Sequence, residues 1–91
     1  MTLHIRLLKW DLDLMEVIER LKQEEKVSIA RCIRINESEL IEVQGKVDVN
    51  NSQLQKVVKS AIVSFDKVRE TDFQVWVDRN TKFYPTVTPR S

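Results

Sequence analysis

The sequence predicts a single α+β domain in which four antiparallel strands form a sheet and two helices cover one of its faces. Its length of 91 residues leaves room for one domain. Apolar residues make up 42% of the chain, which is enough for a hydrophobic core. Four segments alternate apolar and polar residues as strands do, and two repeat apolar residues every three or four positions as helices do.

The first predicted strand is Leu3–Lys9, whose two sides differ in polarity. One side is apolar, with Leu3, Ile5 and Leu7, and the other is mixed, with His4, Arg6 and Leu8. A helix follows, opened by an Asp13-x-x-Glu16 capping box and ending near Lys26. Its apolar stripe consists of Leu14, Met15, Ile18 and Leu21. Glu16 and Arg20 stand four residues apart on the polar side and are expected to pair.

A hairpin is predicted next, with strands Val27–Ile35 and Leu40–Val49 around a turn at residues 36–39. In the second of these strands the alternation puts Val47 and Val49 on the core side. Gly45 interrupts the apolar series, as a bulge or a close backbone approach would. In the first strand of this hairpin, alternation places the charged Arg31 on the same side as three isoleucines, Ile29, Ile33 and Ile35. Either Arg31 extends its charged end to water or a bulge shifts the register.

The second helix has the strongest pattern in the chain. Asn50, Asn51 and Ser52 are candidate caps, and Ser52-x-x-Gln55 is a capping box. One apolar face follows, made of Leu54, Val57, Val58, Ala61, Ile62, Phe65 and Val68. The last predicted strand is 73–77, with Trp76 on its polar side. Residues 83–85 are expected to add a short edge strand, within a C-terminal extension (81–91) to a domain spanning 1–80.

The order strand, helix, strand, strand, helix, strand over about residues 3–78 resembles the ferredoxin-like fold. The resemblance implies an antiparallel four-stranded sheet with two helices on one face. It implies no activity, since unrelated proteins share this architecture.

The sequence predicts no catalytic, cofactor or metal site. His4, the only histidine, is expected to be a partly exposed strand residue. Cys32, the only cysteine, is expected to be a small buried residue. Asp11, Asp13 and Glu16 are close enough in sequence to suggest a site for a hard cation. The simpler explanation is that acidic residues are favoured where a helix begins.

The uncovered side of the sheet is the predicted binding surface, because it carries Trp76 and Arg6. Trp and Arg side chains are common at binding hot spots. The expected partner-binding residues are Arg6, Leu8, Lys46, Gln74 and Trp76. The predicted function is therefore that of a small non-enzymatic adaptor or assembly subunit. Its partner would be another protein or another copy of this chain, bound through the open sheet face or a sheet edge.

Two alternatives belong to other functional classes. Residues 46–91 hold eight Lys or Arg against five Asp or Glu, so a basic patch could contact an RNA or DNA backbone. The candidate phosphate contacts are Lys56, Lys59, Lys67, Arg79 and Lys82. The other alternative is a dimeric ligand-binding regulator whose pocket would use His4, Arg6 and Gln74.

We expect this chain neither to span a membrane nor to be exported. The formal net charge is +1, and no apolar run approaches the ~18 residues needed to span a bilayer. The first ten residues carry His4, Arg6 and Lys9, which interrupt the hydrophobic segment that a secretory signal needs. The expected location is the cytoplasm.

Overall fold

The computed structural model describes residues 2–78, which form four strands and two helices. In chain order these are β1 (Thr2–Leu7), α1 (Leu14–Lys22), β2 (Val27–Ile35), β3 (Ser38–Gly45), α2 (Asn51–Val63) and β4 (Phe73–Asp78). A single 3-10 turn, Glu70–Asp72, precedes β4. The α+β class with four antiparallel strands and two helices is confirmed. The expected edge strand at residues 83–85 and the extension at 81–91 lie outside the described residues.

The four strands form one sheet in the order β2-β3-β1-β4, and every neighbouring pair is antiparallel. The central strand β1 sets Leu3 opposite Val43 of β3 and Val77 of β4. Strands β2 and β4 are the two edges of this sheet.

The core lies between the helices and one face of the sheet. Alternate residues of the strands point into it, because successive strand side chains face opposite ways. The buried cluster combines sheet and helix residues: Leu3, Ile5, Val17, Ile18, Leu21, Val27, Ala30, Ile41, Val43, Leu54, Val58, Ala61, Ile62, Val68 and Phe73. We call the opposite side of the sheet the outer face; it carries His4, Arg6, Glu42, Gln44 and Trp76. Neither of the helices in the described part of the chain has the length and apolarity to cross a bilayer.

Helix α1 begins where the capping pattern predicts and ends earlier than expected. The Asp13 side chain accepts a hydrogen bond from the Met15 N–H at 2.9 Å. The helix ends at Lys22 rather than near Lys26, because the Gln23 and Glu24 N–H groups turn back to the carbonyls three residues before them. The expected pairing of Glu16 with Arg20 is wrong: Arg20 pairs with Glu24 instead.

The segment between β3 and α2 corrects two further expectations. Strand β3 ends at Gly45, and the Val49 N–H closes a turn on the Lys46 carbonyl. Val47 therefore lies at the tip of that turn and is fully exposed (104%), not on the core side. The N-cap of α2 is Asn50, which exchanges side chain–backbone hydrogen bonds with Gln53, so the capping box is two residues earlier than predicted.

A bulge at Ser28 shifts the register of β2, so Arg31 and the three isoleucines that share its side all lie on the outer face. Val27 pairs with Gly45 and Ile29 with the adjacent Gln44, so β2 has one extra residue at this point. Val27 stays on the core side, while Ile29 and every second residue after it move to the outer face. Gly45 itself fits the expectation of a close approach, since a Cβ there would stand 3.2 Å from the Leu54 side chain.

The hairpin between β2 and β3 has a two-residue turn, shorter than the predicted one. Ile35 pairs with Ser38, so only Asn36 and Glu37 lie between the strands. Both have positive φ angles, 50° and 69°. This is the type I′ geometry, which matches the twist of the strands and favours Asn-Gly. Asn36 suits its position, and Glu37 occupies the one where glycine is preferred.

We expect Glu37→Gly to stabilise the protein by about 1 kcal/mol, because a side chain with a Cβ is strained at positive φ. The free energy of unfolding from urea denaturation measures the change. Glu37→Ala is the control, since it removes the charge but keeps the Cβ, and should give little gain. Equal stabilisation by both variants would contradict the conformational explanation.

Candidate functional site

Three of the five predicted partner-binding residues lie on the adjacent strands β1 and β4, and a fourth, Leu8, follows the end of β1. Arg6 pairs in register with Gln74, and the N–H of Leu8 donates to the Asp72 carbonyl at 2.8 Å. Trp76 follows Gln74 on the same face of β4. We call this group, Arg6, Leu8, Gln74 and Trp76, the β1–β4 corner.

The β1–β4 corner combines apolar and polar surface. Leu8 is 50% exposed and Trp76 is half-buried. Arg6 and Gln74 are exposed beside them. Trp10 lies two residues beyond Leu8 in the chain and is 93% exposed.

Lys46, the fifth predicted residue, lies apart from Leu8. It follows β3, and its N–H donates to the Lys26 carbonyl at 3.0 Å. Because β3 pairs Gln44 with Thr2, this end of β3 lies beside the start of β1, whereas Leu8 follows its end. Lys46 and Leu8 therefore lie near opposite ends of β1, and a role of Lys46 in partner binding stays a prediction. Antiparallel pairing separates the two ends by the length of β1.

The centre of the outer face is buried, contrary to expectation. His4 is 0% exposed, so its prediction as a partly exposed residue is wrong. The Trp76 ring meets the His4 ring edge to face, with centroids 5.9 Å apart. On the other side of His4, its Nε2 atom lies 4.0 Å from Oε2 of Glu42. A pocket using His4, Arg6 and Gln74 would therefore have only Arg6 and Gln74 at the surface.

Glu42 is a buried carboxylate that the sequence does not distinguish from other polar strand residues. It is 4% exposed, and its Oε1 accepts a hydrogen bond from Nε of Arg31 at 2.6 Å. Arg31 reaches it because the bulge at Ser28 puts both residues on the outer face, directly opposite each other. A charge-assisted hydrogen bond offsets part of the cost of removing a carboxylate from water.

Cys32 and His4 cannot act together as nucleophile and base. They lie on opposite faces of the sheet, because Cys32 pairs with core-facing Ile41 and His4 pairs with Glu42. Cys32 is exposed, so its prediction as a buried residue is wrong. The physical reason is its place on an edge strand, beyond which the described sheet has no further strand.

The acidic residues before α1 have local partners. Asp13 caps the helix, and Asp11 pairs with Lys9 at 3.2 Å. Within residues 2–78 the structure shows no group of three or more His, Cys, Asp or Glu side chains that could hold a metal ion.

The candidate phosphate contacts are only partly described by the structure. Lys56 is exposed and Lys59 half-buried, three positions apart on α2. Lys67 is exposed in the loop after that helix. Arg79 and Lys82 lie outside the described residues.

We expect Arg31→Met to destabilise the protein by about 1–3 kcal/mol, because it leaves the buried Glu42 carboxylate without its guanidinium. Urea denaturation measures this change. Arg34→Met is the matched control on the same strand: Arg34 pairs with Glu39, and both side chains are more than half exposed. Its loss should cost about 0.5 kcal/mol or less. Similar losses for the two variants would contradict a special role for the Arg31–Glu42 pair.

Comparison with protein-family models, with curated proteins and with solved structures gives no match to this chain. Its function must therefore be inferred from the geometry of its own residues.

Proposed function

We propose that this chain is a small non-enzymatic interaction domain that docks on another protein or on a second copy of itself. It does so through the outer face or an edge of its sheet. The observation that carries the proposal is that Leu8 and Trp10 expose apolar side chains just after the end of β1, in the segment that follows Arg6. Trp and Arg are enriched at binding hot spots, and clustered exposed apolar side chains mark interaction surfaces.

We infer that the architecture belongs to the ferredoxin-like class. Two helices share one core cluster with the sheet, and the sheet order is β2-β3-β1-β4. In such an arrangement the helices cover one face, so a binding surface can form only on the other face, at the edges or on the helices. The β1–β4 corner occupies the uncovered face next to the β4 edge.

The geometry of the two reactive side chains supports a non-enzymatic role. His4 is buried in contact with the Trp76 ring, and Cys32 lies on the other face of the sheet. Nucleophilic catalysis by Cys32 needs a base within hydrogen-bonding reach, which His4 cannot supply. A cytoplasmic location also suits the exposed thiol of Cys32, because a reducing compartment keeps it free.

We expect the double variant Leu8→Ser, Trp10→Ser to lose partner binding while keeping its fold, because it removes Leu8 of the β1–β4 corner and the exposed Trp10 that follows it. Both side chains are largely exposed, so their removal costs little core packing. Sedimentation of the pure protein and pull-down from native lysate measure self-association and partner capture, and circular dichroism reports the fold.

Met15→Ser with Val47→Ser is the matched control for this experiment. It also removes two exposed apolar side chains, from α1 and from the turn before α2. The control should bind as the unmodified protein does. If the corner variant and the control behave alike in both assays, the corner is not the docking surface.

A nucleic-acid interface is the second candidate, favoured by the composition of α2. Its thirteen residues include Lys56 and Lys59 but no Asp or Glu, so the exposed face of the helix carries positive charge alone. Helix α1, by contrast, has two glutamates and two basic residues. Phosphate contacts with lysines would make affinity depend steeply on salt.

We expect, for this candidate, that Lys56→Gln with Lys59→Gln weakens binding to a fluorescent duplex DNA and reduces its salt dependence. The slope of log K against log salt should become less negative by about 2, one unit for each lost phosphate contact. Lys22→Gln with Lys26→Gln is the control with the same change in net charge. An equal effect from both pairs would indicate attraction by net charge rather than a site on α2.

A further inference from the structure

The outer edge of β2 is the longest strand edge without a neighbour in the described part of the chain. Strand β2 has nine residues, whereas β4, the other edge strand, has six. After the bulge at Ser28, pairing with β3 is regular from Ile29 to Ile35. This segment has no proline, and its N–H and C=O groups on the outer side can pair with another strand.

The type I′ turn fixes which residues of β2 point their backbone groups outward. In a two-residue hairpin the closing pair, here Ile35 and Ser38, exchanges both of its hydrogen bonds. The bonding direction alternates along an antiparallel strand, so Ile33 and Arg31 also bond to β3. The groups directed away from β3 are those of Ala30, Cys32 and Arg34. The same alternation, followed across β3 and β1, accounts for the hydrogen bond from Leu8 to Asp72.

Carboxylates on β3 neutralise the charges along this edge. Arg31 pairs with Glu42 at 2.6 Å and Arg34 with Glu39 at 2.9 Å. Both arginines are therefore directed toward β3 within their own chain. Two unpaired arginines on β2 would repel the same arginines of a second copy. Because each arginine is paired with a glutamate of β3, this repulsion is reduced.

We propose that β2 pairs antiparallel with β2 of a second copy, in the register that sets Cys32 opposite itself. In this register Cys32 faces Cys32 of the second copy, and Ala30 faces its Arg34. Each of these residues then exchanges both backbone hydrogen bonds across the two-fold axis. On the outer face Ile29 meets Ile35 of the second copy, so apolar side chains are adjacent.

The neighbouring two-fold registers fit less well. A shift centred on Arg31 sets the two Arg31 side chains opposite each other, which is unfavourable for like charges. A shift centred on Ile33 moves Ala30 opposite the turn residue Asn36, so its outward groups lose their strand partner. The register centred on Cys32 alone among these three satisfies every outward group without opposing two arginines.

This inference rests on the proposed function and names its partner and its surface. Concentration-dependent hydrogen exchange of the full chain tests it directly. The amides of Ala30, Cys32 and Arg34 should exchange quickly in dilute solution and slow by at least about tenfold on self-association. The amides of Arg31 and Ile33 should be protected at every concentration, because they bond within the chain.

Two substitutions at the symmetry centre test the register. Cys32→Lys sets two ammonium groups opposite each other, where hydrogen-bonded strand residues have Cα atoms about 5.5 Å apart. Its sedimentation should stay that of a monomer, while Cys32→Ser should reach twice the monomer mass as the unmodified protein does. A short bismaleimide should also join the two Cys32 thiols of the unmodified dimer. Urea denaturation checks that both variants fold.

The outcomes separate this inference from the proposed function. A mass of one chain at every concentration overturns β2 pairing, and the Leu8 and Trp10 variant then still tests docking on a different protein. A dimer in which the amides of Ala30, Cys32 and Arg34 exchange as in the monomer also overturns it. That second result would leave an interaction domain that associates through another surface.

Discussion

The pairing register of β2 with β3 is the constraint on which the rest of the structure depends. One extra residue, Ser28, lets Val27 stay in the core while Ile29 moves to the outer face. The same shift sets Arg31 directly opposite Glu42, so a buried carboxylate gains its ion pair. Because side chains alternate with a period of two, an unbulged strand would place Arg31 over the core instead. A single inserted residue therefore decides the polarity of both faces at this edge.

The outer face has a buried centre and exposed margins. His4 and Glu42 form the centre, flanked by Trp76 from β4 and Arg31 from β2. These contacts link the two edge strands through the middle of the sheet. The margins, with Leu8 and Trp10 at one end, keep their apolar surface in water. The buried polar contacts therefore lie at the centre of the face, and exposed apolar side chains follow at its periphery.

Both proposed contact surfaces follow from the small size of the sheet. The four strands within residues 2–78 leave two edges, and a chain of 91 residues buries a smaller fraction of its surface than a larger domain does. Pairing at the β2 edge would satisfy backbone groups, whereas docking at the β1–β4 corner would bury apolar side chains. The two surfaces lie at opposite edges of the sheet, so one copy could use both at once. Such a domain could join a second copy to a different protein.

The sequence alone determined what local periodicity and capping determine. Within residues 2–78 it predicted four strands and two helices in their observed order, because Asp13 and the apolar stripe of α2 act through neighbours in the chain. The ends were less accurate: α1, β3 and α2 each stop at least four residues before the predicted end, and Phe65 and Val68 lie beyond α2. The sequence also placed Trp76 on the face away from the core, since alternation along β4 is regular. Tertiary structure decided the burial of His4 and Glu42, the exposure of Cys32, and the separation of Lys46 from Leu8. These depend on which strand lies beside which, and in what register, and pairing between distant segments leaves no periodic signal in the residues that it joins.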